Sequence, residues 1–317
     1  MRLTSTFVAA AATISTASAG YKGFNYGANF LNNQAKVQAD FEYEFNAAKT
    51  LPNTNGQFTS ARLYTMIQHG TTNTVISAIP AAINTNTQLL LGLWASAGQA
   101  NVNNEVAALK AAISQYGTKF TNLVVGISVG SEDLYRITPT GIANKAGAGA
   151  QPSELVNYIK QVRAAIKGTG LASKPVGHVD TWTAYDNSTN AVVVQNCDFI
   201  GVDAYPYFQT TMANSIGTAN KTFYDAYQTT INRAQGKPVW VTETGWPVTG
   251  PQSNQAVASA ANARIYWEDV SCSLIKKGVN LFYYTLQDNQ WGTASPSFGI
   301  KPAGDLQQVQ PAFNLAC

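Results

Sequence analysis

The sequence predicts an α/β protein folded as a single (β/α)8 TIM barrel. Apolar runs of strand length recur eight times in 317 residues, at about 22–26, 58–64, 88–94, 122–129, 174–182, 197–203, 237–243 and 279–286. Several are almost continuously apolar, as in LLLGLW, LVVGISV and VNLFYYTL, which is how strands covered on both faces read. Helix-period segments lie between them, and α/β barrels of roughly 250 residues are commonly one domain. A doubly wound open sheet is the alternative assembly of the same units.

Taken in order, the chain first shows Arg2, an apolar stretch from Phe7 to Ile14 and the small-x-small triplet Ala17-Ser18-Ala19. This pattern predicts a secretory signal peptide over 1–19 and a mature barrel over 20–317. Its removal takes Arg2 and lowers the formal net charge from +3 to +2. Between the third and fourth strands, residues 105–117 place Val106, Leu109, Ile113 and Tyr116 on one helical face. KAGAGAQ (145–151) is the most linker-like stretch, too short to divide the chain. Residues 153–168 repeat the helical pattern with Leu155, Tyr158, Ile159, Val162 and Ile166. The segment 255–277 is long enough for a full covering helix before the last strand.

Composition narrows the function. The chain is 45% hydrophobic and 12% charged, against disorder, and its Lys and Arg are scattered with no basic stripe for nucleic acid. No apolar stretch reaches the ~18 residues of a membrane span. His69 and His178 are the only histidines and form no metal-ligand cluster. No phosphate-binding glycine loop follows a strand, so neither cofactor nor metal is expected. Secretion fits the sequons at Asn187 and Asn220. Three cysteines imply one pair and one left over. Cys272–Cys317 is favoured, since it would tie the last helix to the tail, with Cys197 as a small buried hydrophobe; sequence alone leaves the connectivity open.

Two carboxylates stand out. Glu132 in VGSEDLYR follows the fourth strand and Glu243 in VTETGWP ends the seventh. In a barrel both strand ends open on one rim, where chemistry is sited. Two acids across one cleft are what glycoside cleavage requires. The competing explanation for Glu132 is a surface ion pair with Arg136. Tyr26, Arg62, Tyr64, Trp94, Trp182, Asp203, Tyr205 and Trp246 also fall near strand ends. Aromatic faces suit sugar rings, so together they predict a carbohydrate cleft, with Tyr284, Trp291 and Phe208 as further contacts.

These motifs resemble family 17 glycoside hydrolases, the β-1,3-glucanases. Glu132 and the ETGWP run carry the likeness to the two catalytic motifs. GFNYGA (23–28), ARLY (61–64) and GVDAYPYFQ (201–209) resemble the fungal branch. The resemblance implies an enzyme that acts on β-1,3-glucan with retention; with the signal peptide, the expectation is a secreted monomer, extracellular or in the cell wall. Glu132 matches the acid/base and Glu243 the nucleophile. It further implies a hydrogen bond from Tyr205 to Glu243. The charge of Arg62 would hold the nucleophile ionised, the alternative being a structural ion pair at the barrel mouth. Ser131 stands where the wider clan often has an asparagine that contacts the sugar 2-hydroxyl. Fungal relatives include both hydrolases and glucanosyltransferases, and the resemblance does not choose between them.

Two other readings compete. A glucan-binding wall protein without turnover would use the same aromatic cleft, but binding needs no second carboxylate. Gly126-Ile127-Ser128-Val129-Gly130 matches the nucleophile elbow of serine esterases. A triad would then need His178, which falls inside an apolar strand.

Overall fold

The computed structural model describes residues 20–317; the expected signal peptide lies outside the described residues. Eight parallel strands close into a barrel in sequence order: β1 (Lys22–Tyr26), β2 (Ser60–Leu63), β3 (Gln88–Leu93), β4 (Val124–Val129), β5 (Val176–Thr181), β6 (Ile200–Asp203), β7 (Val239–Glu243) and β8 (Leu281–Tyr283). β8 pairs with β1 and closes the ring, with Gly23 opposite Phe282. The open-sheet alternative is thereby excluded.

Helices fill the crossovers: α1 (Gln38–Lys49), α2 (Ala78–Thr85), α3 (Gln99–Thr121), α4 (Asp133–Arg136), α5 (Pro139–Ala143), α6 (Pro152–Ile166), α7 (Trp182–Asp186), α8 (Ala191–Gln195), α9 (Ile216–Arg233), α10 (Ala260–Tyr266) and α11 (Cys272–Lys276). The predicted face of α6 is buried through Leu155, Tyr158, Ile159, Val162 and Ile166. The expected helix over 255–277 starts later than its length suggested. The Ser259 side chain accepts from the Asn262 N–H and sets the N-terminus at Ala260, while Ser253 and Ala256 form a bridge instead. A π-helical turn, Trp267–Ser271, joins α10 to α11. α3 extends beyond the predicted 105–117 at both ends, passing a kink at Gly117.

Side chains alternate across each strand. Outward residues such as Leu89, Leu91 and Leu93 join the main core between barrel and helices, while Leu90 joins a small inner cluster with Val125, Phe199, Trp240 and Phe282. Phe199 stacks on Trp240 at 4.3 Å. This plug fills the middle of the barrel, below the polar mouth and above Ser60 and Gln88 at the strand starts.

Cys272 and Cys317 are bonded, 45 positions apart, and Trp267 Nε1 donates to the Leu315 carbonyl beside them. Cys197 is free and buried, and burial pushes its thiol up to about 12. Closing a loop of this length restricts the unfolded chain, so Cys317→Ser is expected to lower stability by about 2–4 kcal/mol. Urea titration of variant and wild type checks this.

Candidate active site

The barrel mouth is organised by a buried cation. Arg62 on β2 points inward and is 1% exposed. Its Nη1 donates to Glu243 Oε1 at 2.6 Å and to Asn25 Oδ1 at 2.9 Å; its Nη2 donates to Ser131 Oγ at 2.9 Å. One planar guanidinium thus spans from the end of β7 to the residue before Glu132. Burial opposes its charge, but the carboxylates of Asp203 and Glu243 more than restore it.

Glu243 receives two further donors. The Tyr64 hydroxyl reaches Oε1 at 2.6 Å and the Tyr205 hydroxyl reaches Oε2 at 2.7 Å. Burial, reinforced by the charge of Glu243, raises both phenols well above their ordinary range. Both therefore stay protonated and donate. Three donors on one carboxylate fix its rotamer and leave the remaining lone pairs facing the cleft.

Glu132 is built differently. It has φ 59° and ψ 21°, in the left-handed region, which costs a non-glycine residue of order 1–3 kcal/mol. Gly130 before it has φ +83°, and a Cβ there would sit 2.0 Å from Asp133 Oδ2, so the turn requires glycine. Burial first, then the charges of Glu243 and Asp180, raise the Glu132 carboxyl to about 7, against the pull of Arg136 and Arg62. Arg136 does approach, at 3.7 Å from Glu132 Oε2. The ion pair is present but long, and it does not outweigh burial.

Both carboxylates line one cleft of about 620 Å³, with Tyr64, His69, Trp94, Ser131, Arg136 and Tyr284. Trp94 is half exposed. Tyr284, which lines the cleft, belongs to an aromatic cluster with Tyr205, Phe208 and Phe298, with Tyr205–Phe298 at 5.5 Å and Phe208–Phe298 at 5.8 Å. Phe208 stands exposed on this cluster.

Besides Tyr205 and Phe208, six expected sugar contacts lie outside the lining of this cleft. Trp246 is fully buried, its Nε1 donating to the Val257 carbonyl and its ring against Tyr207 and Tyr266. Tyr26 is 3% exposed, packs edge-on to Phe45 and borders an adjoining hollow of about 280 Å³ that shares Tyr64 and Tyr284 with the cleft. Asp203 is buried behind Glu243, with Oδ1 accepting from Thr242 Oγ1 at 2.7 Å. Burial, then the charge of Glu243, raises its carboxyl well above the usual carboxylate range, against the pull of Arg62. Arg62 acts on Glu243 from below and is too buried to meet a sugar. A strand-end position does not distinguish an inward side chain from one turned under a loop. Trp182 is half-buried against the core, and Trp291 is exposed on the loop after β8, outside the cleft lining.

Sequence reasoning missed Asn25 and Glu105. Asn25 donates to the carbonyls of Phe282 and Tyr283 while accepting from Arg62; an asparagine within the apolar GFNY strand was the available signal. Glu105 on α3 is fully buried, accepting from Thr65 Oγ1 at 2.5 Å and Met66 N at 2.7 Å. Burial raises it to about 7. It looks like any helical glutamate in the sequence.

The esterase reading fails on geometry. Ser128 Oγ donates to the Gly130 carbonyl, and both His178 nitrogens are engaged, by Val129 O at 2.7 Å and Asp180 Oδ2 at 3.0 Å.

Residues 23–301 match the BtgE/BtgC glycoside hydrolase domain. The chain belongs to this family. A probable glucan endo-1,3-beta-glucosidase of Aspergillus oryzae is 54% identical over 98% of this chain and 66% of its own length. Its counterpart in Aspergillus fumigatus is 55% identical over 98% of this chain and 68% of its own. The chain thus spans about two thirds of the length of these relatives. Among solved structures, a family 17 beta-1,3-glucanosyltransferase from Rhizomucor miehei superposes with a TM-score of 0.73 at 25% identity, covering 94% of this chain and 98% of that one.

The raised Glu132 has a stability cost with a definite sign. Its folded value, about 7, exceeds the unfolded 4.5, so the folded state favours the proton and loses stability as pH rises from about 4.5 to 7. Glu132→Gln is expected to be more stable than wild type by about 1 kcal/mol at pH 8, discounted for the partly exposed side chain. The gain vanishes at pH 4. Melting temperatures at the two pH values test it.

Proposed function

We propose that this chain cleaves β-1,3-glucan internally with retention of configuration, Glu243 acting as nucleophile and Glu132 as acid/base. The observation that supports it most is the contrast between the two carboxyls: Glu243 clamped by Arg62, Tyr64 and Tyr205, and Glu132 raised to about 7 in the same cleft. The matched relatives' activity adds to it. In the first step Glu132 protonates the glycosidic oxygen as Glu243 attacks the anomeric carbon, giving a covalent glycosyl-enzyme. Glu132, now ionised, then takes a proton from the incoming acceptor. A carboxyl poised near 7 suits both transfers. Tyr64 and Tyr205 guide Glu243 toward the sugar and share its negative charge when it leaves again. Trp94 and Phe208 offer faces for sugar rings.

The acceptor is water or a second glucan chain. The Tyr205–Phe208–Phe298 cluster favours a bound sugar acceptor, in line with the transferase activity of the Rhizomucor miehei protein. We further propose secretion with cleavage after Ala19 and a place at the cell wall. Among the described residues no helix is long and apolar enough to cross a membrane. Asn187 is exposed on a turn, whereas the Asn220 amide donates to the Asp269 carbonyl from within α9, so Asn187 is the more accessible glycan acceptor.

Incubation with a β-1,3-linked glucose hexamer, followed by mass spectrometry, tests the reading. Shorter products alone mean hydrolysis, longer ones transfer, and none at all overturns the assignment. Glu243→Ala is expected to abolish turnover while keeping oligosaccharide binding; a wild type that binds but never turns over would favour a glucan-binding protein. The kcat/KM profile is expected to fall about tenfold per pH unit above roughly 7, as Glu132 loses its proton. Phe208→Ala is expected to lower the ratio of transfer to hydrolysis, and an unchanged ratio removes Phe208 from acceptor binding.

A further inference from the structure

We propose that Asp180, oriented by His178, is the positioning residue of the acid/base: it replaces the Glu132 side chain as cap of α4 and so frees that side chain for the cleft. The inference rests on the assignment of Glu132 as acid/base.

Glu132 occupies the N-cap position of α4, where a side chain ordinarily accepts from the first exposed N–H groups of the helix. Its carboxyl makes no such bond. The donors are met from another strand. Asp180 Oδ2 accepts from Leu134 N at 2.8 Å, and Asp180 Oδ1 accepts from Tyr135 N at 3.2 Å and Thr181 N at 2.8 Å. A four-residue helix has no stability of its own, so these bonds, with Glu132 N to Val179 O at 2.9 Å, anchor it to β5.

His178 and Asp180, two apart on β5, share its outer face. His178 Nε2 lies 3.0 Å from Asp180 Oδ2, and Nδ1 lies 2.7 Å from the Val129 carbonyl. Both partners are acceptors, so the ring carries both protons. Burial opposes this, while the bond to Asp180 and the charges of Asp180 and Asp133 favour it and prevail. The Tyr185 hydroxyl donates to the His178 carbonyl at 2.9 Å, and the Tyr185 ring lies edge-on to the imidazole. The pair therefore grips the turn on both sides of Glu132, at Val129 before it and at Leu134 and Tyr135 after it. None of these side chains reaches the cleft lining.

Asp180→Asn discriminates. Four donors converge on the carboxylate, and an amide offers one oxygen, so two lose their acceptor. Wild type, Asp180→Asn and Glu132→Ala are compared on a laminari-oligosaccharide and on a dinitrophenyl glycoside of laminaribiose. The sugar leaving group needs a proton as its C1–O bond breaks and the bond from C1 to Glu243 forms. Dinitrophenolate departs with the electron pair unprotonated. Asp180→Asn is expected to lower kcat/KM on the oligosaccharide about 100-fold while holding the dinitrophenyl glycoside within about threefold, with azide restoring its kcat. Equal losses on both substrates, or no loss, overturn the proposal. If Glu132→Ala itself lacks the split, the acid/base assignment fails, and the proposal with it. If Asp180→Asn does not fold, His178→Gln carries the same comparison with the same two outcomes.

Discussion

The ion pair between Arg62 and Glu243, 2.6 Å long and buried at the barrel mouth, dictates most of what surrounds it. A lone guanidinium at that depth would be untenable, and even a paired one needs its remaining protons met. Asn25 and Ser131 each take one of them, while the buried Nε–H finds no acceptor among the described residues; this explains polar residues on β1 and after β4 where an ordinary barrel layer would be aliphatic. The plug below, led by Phe199 and Trp240, keeps water from reaching the pair from underneath. Fold and site thus meet in a single side chain: the barrel tolerates Arg62 because Glu243 is there, and Glu243 keeps one orientation because Arg62 is there.

Charge bookkeeping explains the division of labour among the acids. Glu132, Asp133, Asp180, Asp203 and Glu243 crowd the upper barrel and its rim, facing Arg62, Arg136 and His178. Acids outnumber cations, and burial penalises every uncompensated charge. Glu132, Asp133 and Asp203 are the ones displaced upward, each first by burial. Asp203 is raised away from the cleft lining, whereas Glu132 is raised facing the cleft. The difference lies in place, since the cause is common to both.

The strands and the carboxylate pair were legible because their signals are local. Eight apolar runs specify buried parallel strands, and a motif such as ETGWP needs no tertiary information. What escaped was direction. Trp246 and Tyr26 sit at strand ends like Tyr64, yet one turns beneath the β7 loop and the other under β1 onto Phe45. Asp180 and Glu105 escaped for another reason. Their partners are backbone N–H groups of remote segments, 45 and 39 positions away, and backbone donors leave no trace in a sequence. The start of α10 at Ala260 was set by one capping serine that a length argument could not weigh.

Barrel closure links the first strand to the last. Asn25 on β1 holds the carbonyls of Phe282 and Tyr283, more than 250 positions away, and the Leu281 N–H reaches back to the Tyr21 carbonyl. During synthesis at about 5–20 residues per second, β1 waits roughly 15–50 s for its second neighbour. Over that interval its outer edge is an unpaired template open to foreign strands. The hydrogen-bond set of Arg62 is likewise incomplete, since Asn25, Ser131 and Glu243 arrive on three separate segments. A nascent chain therefore has no working site until its final strand has emerged.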